Sequence, residues 1–279
     1  MAVVQGGVYK LLRRQHGQEH ETILNWLTPV DYGPQQSDYI SRRQLGTGQW
    51  LLSSSEFYNW VNESKQTLFC PGIPGAEKTM MSSIVVDHLN VKFRNDSGVG
   101  IAYIYCSYQP QQEQKPEDLL SSLLKQLVQG QPTVPPDVKN LYERHRNKGT
   151  RPSFDEIVNV LHSKIHLYSR VFIIDALDEY YASNNEGPKK LLLVVFSLQE
   201  KTQLNLFTTS RFTSEITSRF NRCMSKTIQA HDDDVLSYIN GRIPELLQSR
   251  ILKHPQVQEA VRRDVVKAVD GMYAHCSIS

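Results

Sequence analysis

Paired cysteines are missing from this sequence. Its four cysteines, Cys70, Cys106, Cys223 and Cys276, contain no C-x-x-C spacing, so neither a zinc motif nor a disulfide framework is suggested. Cys70 and Cys106 sit inside apolar runs and read as reduced core residues. Long hydrophobic runs are missing too. No apolar segment reaches the roughly 18–20 residues of a membrane span. The opening stretch, MAVVQGGVYKLLRRQHGQEH, lacks the uninterrupted apolar segment of a signal peptide. The expected compartment is cytosolic or nuclear, with cytoplasmic as the adopted reading. An excess of one charge is also absent: 31 basic against 29 acidic residues leave a net charge of +2. That balance gives no reason to make nucleic acid or a membrane surface the main partner. H-E-x-x-H and G-x-S-x-G do not occur, nor does a Cys/His pairing in recognisable context, which removes the familiar hydrolase readings. The nine histidines are scattered; His88 and His162 fall on predicted helices as packing or surface residues. No internal repeat is visible.

What is present is enough apolar residue, 39% of 279 positions, for a sizeable core. Residues 1–65 read as a helical leader in which Trp26, Trp50, Phe57 and Trp60 recur among polar residues. From residue 66 strand and helix patterns alternate. TLFC is a short apolar run ending at Pro71, and Met81, Ile84, Val85 and Leu89 then recur at helical spacing. VGIAYIYCSY, 99–108, reads as a buried strand. A helix is predicted from Pro116, with Glu117 and Asp118 in its first turn and Leu119, Leu120, Leu123, Leu124 and Leu127 on its apolar face. Ser153 and Glu156 have capping-box spacing and open another helix. RVFIIDALDE is an apolar strand ending in carboxylates. LLLVVFSL, 191–198, suits strand or helix and is read as a buried helix; LNLFTTSR and KTIQA, 226–230, are further strands. Such alternation predicts an α/β fold, a mostly parallel five-stranded sheet flanked by helices, over residues 66–230. Residues 231–279 read as the start of an incomplete helical arm, with helices over 232–247 and 255–273.

Residues 69–83, FCPGIPGAEKTMMSS, nearly follow the phosphate-binding pattern G-x-x-x-x-G-K-[ST]. Gly72, Lys78 and Thr79 fit; the residue before the lysine is Glu77 where the pattern has glycine. In such loops backbone N–H groups and a helix N-terminus hold the phosphates. Gly72, Ile73, Pro74, Gly75, Ala76 and Glu77 would form that cradle, Lys78 would reach the β- and γ-phosphates, and the Thr79 hydroxyl would ligate Mg²⁺. VFIID ends in Asp175, the form of a strand that delivers a metal-binding carboxylate, with Asp178 and Glu179 placed to orient or activate a water. Taken alone, DALDE could equally cap a strand. Arg211, closing LFTTSR, could meet a γ-phosphate; a lone arginine there is more often a surface ion-pair partner. The order of the three elements favours one shared site. Glu77 acts against it. At about 5 Å and an effective dielectric near 20, each pair of unit charges repels by about 3 kcal/mol, roughly a hundredfold in affinity. Turning the carboxylate to solvent relieves the charge but not the added Cβ.

PGIPGAEKT, FIIDALDE and FTTSRF resemble the three nucleotide-site motifs of NACHT-type signalling NTPases of the STAND class, and most closely fungal proteins with a nephrocystin-like NACHT module. RRQLGTGQWLLSSSEFYNWV resembles the segment before the loop in those proteins, TIQAHDDDVLSYINGRI the run into the helical arm, and VDGMYAHCS the start of the next helical region. The resemblance covers residue 20 or so to the end. It implies a sheet in which the Asp175 strand is not beside the loop strand. It also implies a switch that binds ATP or GTP with Mg²⁺, monomeric when off and self-assembling when on, with protein partners reached through flanking effector domains or repeats. On it, Gly72, Gly75, Lys78 and Thr79 take phosphate and Mg²⁺ roles, Asp175 binds metal, Asp178 and Glu179 serve hydrolysis, and Arg211 is the sensor. The other reading kept is a silent scaffold or interaction module disabled by Glu77. A more distant one is nucleic-acid binding through YERHRNKGTR, 142–151, a run that reads as a solvated loop.

Overall fold

The computed structural model describes residues 17–107, 114–165, 169–183, 186–229 and 231–246, together with Glu259 and Arg263. The helix expected over 255–273 and the run VDGMYAHCS lie outside the described residues. Among the described residues, four helices precede the first strand: α1 (17–27), α2 (Gly33–Ser41), α3 (Gln49–Leu52) and α4 (Ser55–Asn62). Then come β1 (Thr67–Pro71), α5 (Lys78–Lys92), β2 (Val99–Tyr105), α6 (Pro116–Gln129), α7 (Pro136–Arg146), α8 (Phe154–Ile165) and β3 (Ser169–Asp175). They are followed by α9 (Leu177–Ser183), α10 (Glu186–Lys201), β4 (Leu204–Ser210), α11 (Ser214–Thr217), a 3₁₀ turn (Ser218–Phe220), β5 (Met224–Ser225) and α12 (Asp232–Leu246).

The strands form one five-stranded sheet in the order β2-β3-β4-β1-β5, and every pair is parallel. This is the expected α/β class. Parallel neighbours need long crossovers, which the helices supply. Central position shows in β4, buried at all seven residues from Leu204 to Ser210. The strand of Asp175 is separated from the loop strand by β4. Register aligns their ends: Pro71 lies opposite Ser210, Ile174 opposite Thr208, and Tyr105 opposite Asp175. The C-terminal ends of β1, β4 and β3 therefore open on one edge.

Helix faces follow the apolar spacing. α6 buries Leu119, Leu120, Leu123, Leu124 and Leu127, with Pro116 at its first turn beside Glu117 and Asp118. The LLLVVFSL run is helical within α10, burying Leu191, Leu192, Val194, Val195 and Leu198. Its Leu193 is 64% exposed, so the run is not buried on every side. The leader is built into the core. Ile23 and Leu27 of α1 join one apolar cluster with α6 and α8, while Leu51, Phe57 and Trp60 join the other with α5.

Two expectations shift. The fifth strand is Met224–Ser225, not 226–230. The chain does continue beside β1, where the Lys226 N–H bonds Phe69 O at 3.0 Å and the Ile228 N–H bonds Pro71 O at 2.7 Å. These bonds satisfy β1's edge without a further ladder. The run YERHRNKGTR is helical as far as Arg146, not a loop. Pro136 and Asp137 start that helix, and Arg144 and Arg146 place positive charge at its C-terminal end, where the macrodipole favours it. Among the described residues no helix is long and apolar enough to cross a membrane.

Candidate functional site

The loop between β1 and α5 begins pinned to the central strand, the Gly72 N–H donating to Ser210 O at 2.9 Å. A Cβ on Gly72 would lie 2.7 Å from Ile228 O, so this glycine is required by the protein's own backbone passing alongside. Ala76 N–H donates to Ile73 O at 3.2 Å and closes the turn over exposed Pro74 and Gly75. Gly75 has φ +80°, a conformation suited to glycine, and a Cβ built there meets nothing within 4 Å. Glu77 caps α5 at φ +57°, also left-handed, with no side-chain cap bond. Its side chain is on the exposed side of the loop. Its carboxyl is nonetheless partly enclosed by neighbouring atoms, and that partial loss of solvent, then the carboxylate of Asp234, pushes it above the ordinary glutamate range.

Lys78 is the first residue of α5, and its ammonium folds back to donate to Gly72 O at 3.1 Å and Ile73 O at 3.0 Å. Burial pulls it below the ordinary lysine value, Asp178 opposes that shift and Arg211 adds to it, with Asp175 and Glu179 also acting. These five side chains thus share one electrostatic neighbourhood at the C-terminal edge of the sheet.

Asp175 ends β3 and is 1% exposed. Its Oδ1 accepts from the Ser82 hydroxyl and from the Thr209 hydroxyl, each at 2.7 Å. Burial raises this carboxyl; bonds from Thr79, Thr209 and Ser82 and the charge of Lys78 counter the rise. Thr209 also accepts the Ala176 N–H at 2.9 Å, and so clamps the turn after β3, where Ala176 has φ +52°. Asp178, in the first turn of α9, grips Arg211 twice. Its Oδ1 accepts the Arg211 backbone N–H at 2.9 Å, and its Oδ2 lies 3.0 Å from Nε of the guanidinium. The Glu179 N–H bonds Ala176 O at 2.9 Å, which keeps this acid beside Asp178 at the helix start.

Sequence reading missed Ser82, Thr209 and Asp234. Ser82 stands one turn beyond Thr79, on the same helix face. Thr209 stands two residues before Arg211, on the same strand face as that residue's direction. Both spacings were available signals. Asp234 had none: its Oδ2 accepts from the Gly48 N–H at 2.9 Å and the Trp50 indole N–H at 3.1 Å, contacts 186 and 184 residues apart in sequence.

A turn of backbone N–H groups before the N-terminus of a 15-residue helix attracts anions. Hydroxyl and carboxylate oxygens at Thr79 and Asp175 are the hard donors Mg²⁺ prefers. Among the described residues no group of three or more His, Cys, Asp and Glu could hold a metal. A cation here would complete its shell with phosphate oxygens and water, the habit of Mg²⁺ at nucleotide sites.

No curated protein sequence matches the chain. Among solved structures, it is similar to a DNA replication initiation factor at 13% identity and a TM-score of 0.46, covering 86% of this chain and 64% of that one. It is similar to Drosophila ORC bound to DNA at 14% and 0.44, covering 92% and 60%. For CDC6P from Pyrobaculum aerophilum the values are 12% and 0.45, with 78% and 52% covered. The chain thus spans less than two thirds of the length of each of these three. The family model described as Nephrocystin 3, N-terminal, matches residues 46–211, from the end of the leader through Arg211. The loop and the strand order are those of a P-loop NTPase-like fold, and because that match spans more than half of the residues, the chain belongs to the Nephrocystin 3, N-terminal family.

Proposed function

We propose that the chain is a nucleotide-gated signalling switch of the NACHT/STAND type that binds ATP or GTP with Mg²⁺ and hydrolyses it slowly. The observation that supports this reading best is the gathering of Lys78, Asp175, Asp178, Glu179 and Arg211 around the loop at one sheet edge. In this reading residues Gly72 to Glu77 cradle the phosphates and Lys78 exchanges its two loop carbonyls for phosphate oxygens. Thr79 and Asp175 hold Mg²⁺, whose chemistry is to neutralise charge on the β- and γ-phosphates. Ser82 and Thr209 fix one oxygen of Asp175, so that the carboxylate keeps one orientation. Glu179 orients the attacking water, and Arg211 meets the terminal phosphate. Flanking effector domains or repeats would supply protein partners, self-assembly would accompany activation, and the setting would be cytoplasmic.

The test is equilibrium titration of the folded chain with ATP and GTP, with and without Mg²⁺. Mg²⁺-dependent binding is expected, and Lys78→Ala should abolish it. Folded protein that binds neither nucleotide at millimolar concentration would overturn the reading.

One observation favours a second reading, a silent scaffold: Glu77 occupies a left-handed position before the lysine, where the motif has glycine. A scaffold would show no thermal shift with nucleotide, and none would appear in Glu77→Gly.

A further inference from the structure

We infer that Asp178 sets how strongly this site prefers a nucleoside triphosphate over a diphosphate, by holding Arg211 until a terminal phosphate takes it. This rests on the nucleotide reading above, and it gives Asp178 a task other than activating water. Both carboxylate oxygens of Asp178 are committed to the same residue, one to the Arg211 backbone N–H at 2.9 Å and the other to the guanidinium Nε at 3.0 Å. The backbone bond fixes where the arginine leaves the strand. The side-chain bond is the exchangeable one: the Arg211 side chain is 51% exposed, while that of Asp178 is only 9% exposed. The two ends of the pair therefore differ. The carboxylate is anchored on the protein side, and the guanidinium faces outward.

Lys78 shows the same resting arrangement. Its ammonium rests on the carbonyls of Gly72 and Ile73 and lies in the combined field of Asp178 and Arg211. Each cation suited to a phosphate is thus parked on an internal acceptor. A diphosphate that reaches Lys78 displaces only the loop carbonyls. A triphosphate extends farther and competes with Asp178 for the guanidinium. That contest favours phosphate, because a half-exposed ion pair is weak and guanidinium pairs with phosphate oxygens bidentately. Asp178 consequently lowers triphosphate affinity alone, in proportion to its hold on Arg211. The two nucleotides are then distinguishable by the position of one side chain, which only the triphosphate draws from Asp178.

The experiment is a double-mutant cycle read as the ratio of diphosphate to triphosphate Kd, using a non-hydrolysable triphosphate analogue with Mg²⁺. Asp178→Asn keeps an acceptor for the Arg211 N–H and removes the charge from the guanidinium. It should raise the ratio roughly two- to five-fold, the range of an exposed ion pair. Arg211→Ala should bring the ratio down, and adding Asp178→Asn to Arg211→Ala should leave it there. The cycle is run in the native chain and in Glu77→Gly. A ratio that rises equally with and without Arg211 would mean simple charge repulsion and would overturn the role given to Asp178, as would a ratio that does not move in either background. No binding of any nucleotide in either background, with folded protein, would instead overturn the nucleotide reading itself and Asp178's role along with it.

Discussion

Glu77 holds φ +57° against the steric preference that reserves this region for glycine. The cost of that conformation is about 1–2 kcal/mol for a residue with a Cβ, partly offset because glycine loses more freedom on folding. Glu77→Gly should therefore stabilise the fold by about 0.5–1 kcal/mol, a rise in Tm of about 1–3 °C. The same change removes a carboxylate from the nucleotide loop and should tighten triphosphate binding. Calorimetry and titration on one preparation measure both; a fall in Tm would show that the glutamate is held by contacts that outweigh its strain. At this scale the site was half legible in the sequence. Lys78, Thr79, Asp175 and Arg211 belong to spaced motifs that the chemistry itself dictates. Ser82 and Thr209 offered only their spacing from Thr79 and Arg211, and it is the three-dimensional meeting at Asp175 Oδ1 that gives the two hydroxyls a task. The reason for Gly72 was illegible for the same cause: the atom it must avoid, Ile228 O, belongs to a distant part of the chain.

Among the elements, α8 shows how a local rule becomes a measurable property. Ser153 N–H donates to Glu156 at 2.9 Å and Glu156 N–H to the Ser153 hydroxyl at 3.4 Å, closing the capping box read from spacing alone. His145 of α7 adds a contact at 3.1 Å that no local rule could supply. The Ser153 N–H first, then His145, bring the Glu156 carboxyl from 4.5 down to about 2. A carboxylate with a depressed folded value stabilises the fold above its unfolded value, and that contribution disappears as pH falls through the folded one. Glu156→Gln should lower stability at neutral pH and flatten the loss of stability between about pH 4.5 and pH 2. Chemical denaturation across that window checks it; parallel acid limbs for native and variant would deny the cap its role. Helices were the legible elements because 3.6-residue periodicity is written locally. The fifth strand was misplaced because it is only two residues long and its continuation bonds β1 through alternate N–H groups. The α7 segment was taken for a loop because its charge hid the turn signals at Pro136 and the terminal basic residues.

For the molecule as a whole, the alternation of patterns foretold the layered class, whereas strand order came from the family resemblance and not from periodicity. Order depends on which crossover passes over which strand, and nothing local records that. The leader's place was also hidden. Lys125 Nζ bonds Thr28 O at 3.0 Å, Gln36 bonds Ser83 O at 2.9 Å, and Trp26 packs edge-on against Tyr142 at 5.2 Å, so residues ahead of β1 are tied to α5, α6 and α7.

Helix α12 is tied down in a comparable way. Asp234 of α12 takes the Gly48 and Trp50 N–H groups, and the Trp50 ring lies stacked on His231 at 4.6 Å. Lifting this helix would strip one indole of its acceptor and its stacking partner in the same movement, while Trp60, 0% exposed, would keep its surroundings. The chain therefore contains a native optical gauge. Asp234→Ala should shift its tryptophan emission to longer wavelength, and an unchanged spectrum would place the latch elsewhere. A nucleotide that moves the arm would be visible as a change of colour in unlabelled protein.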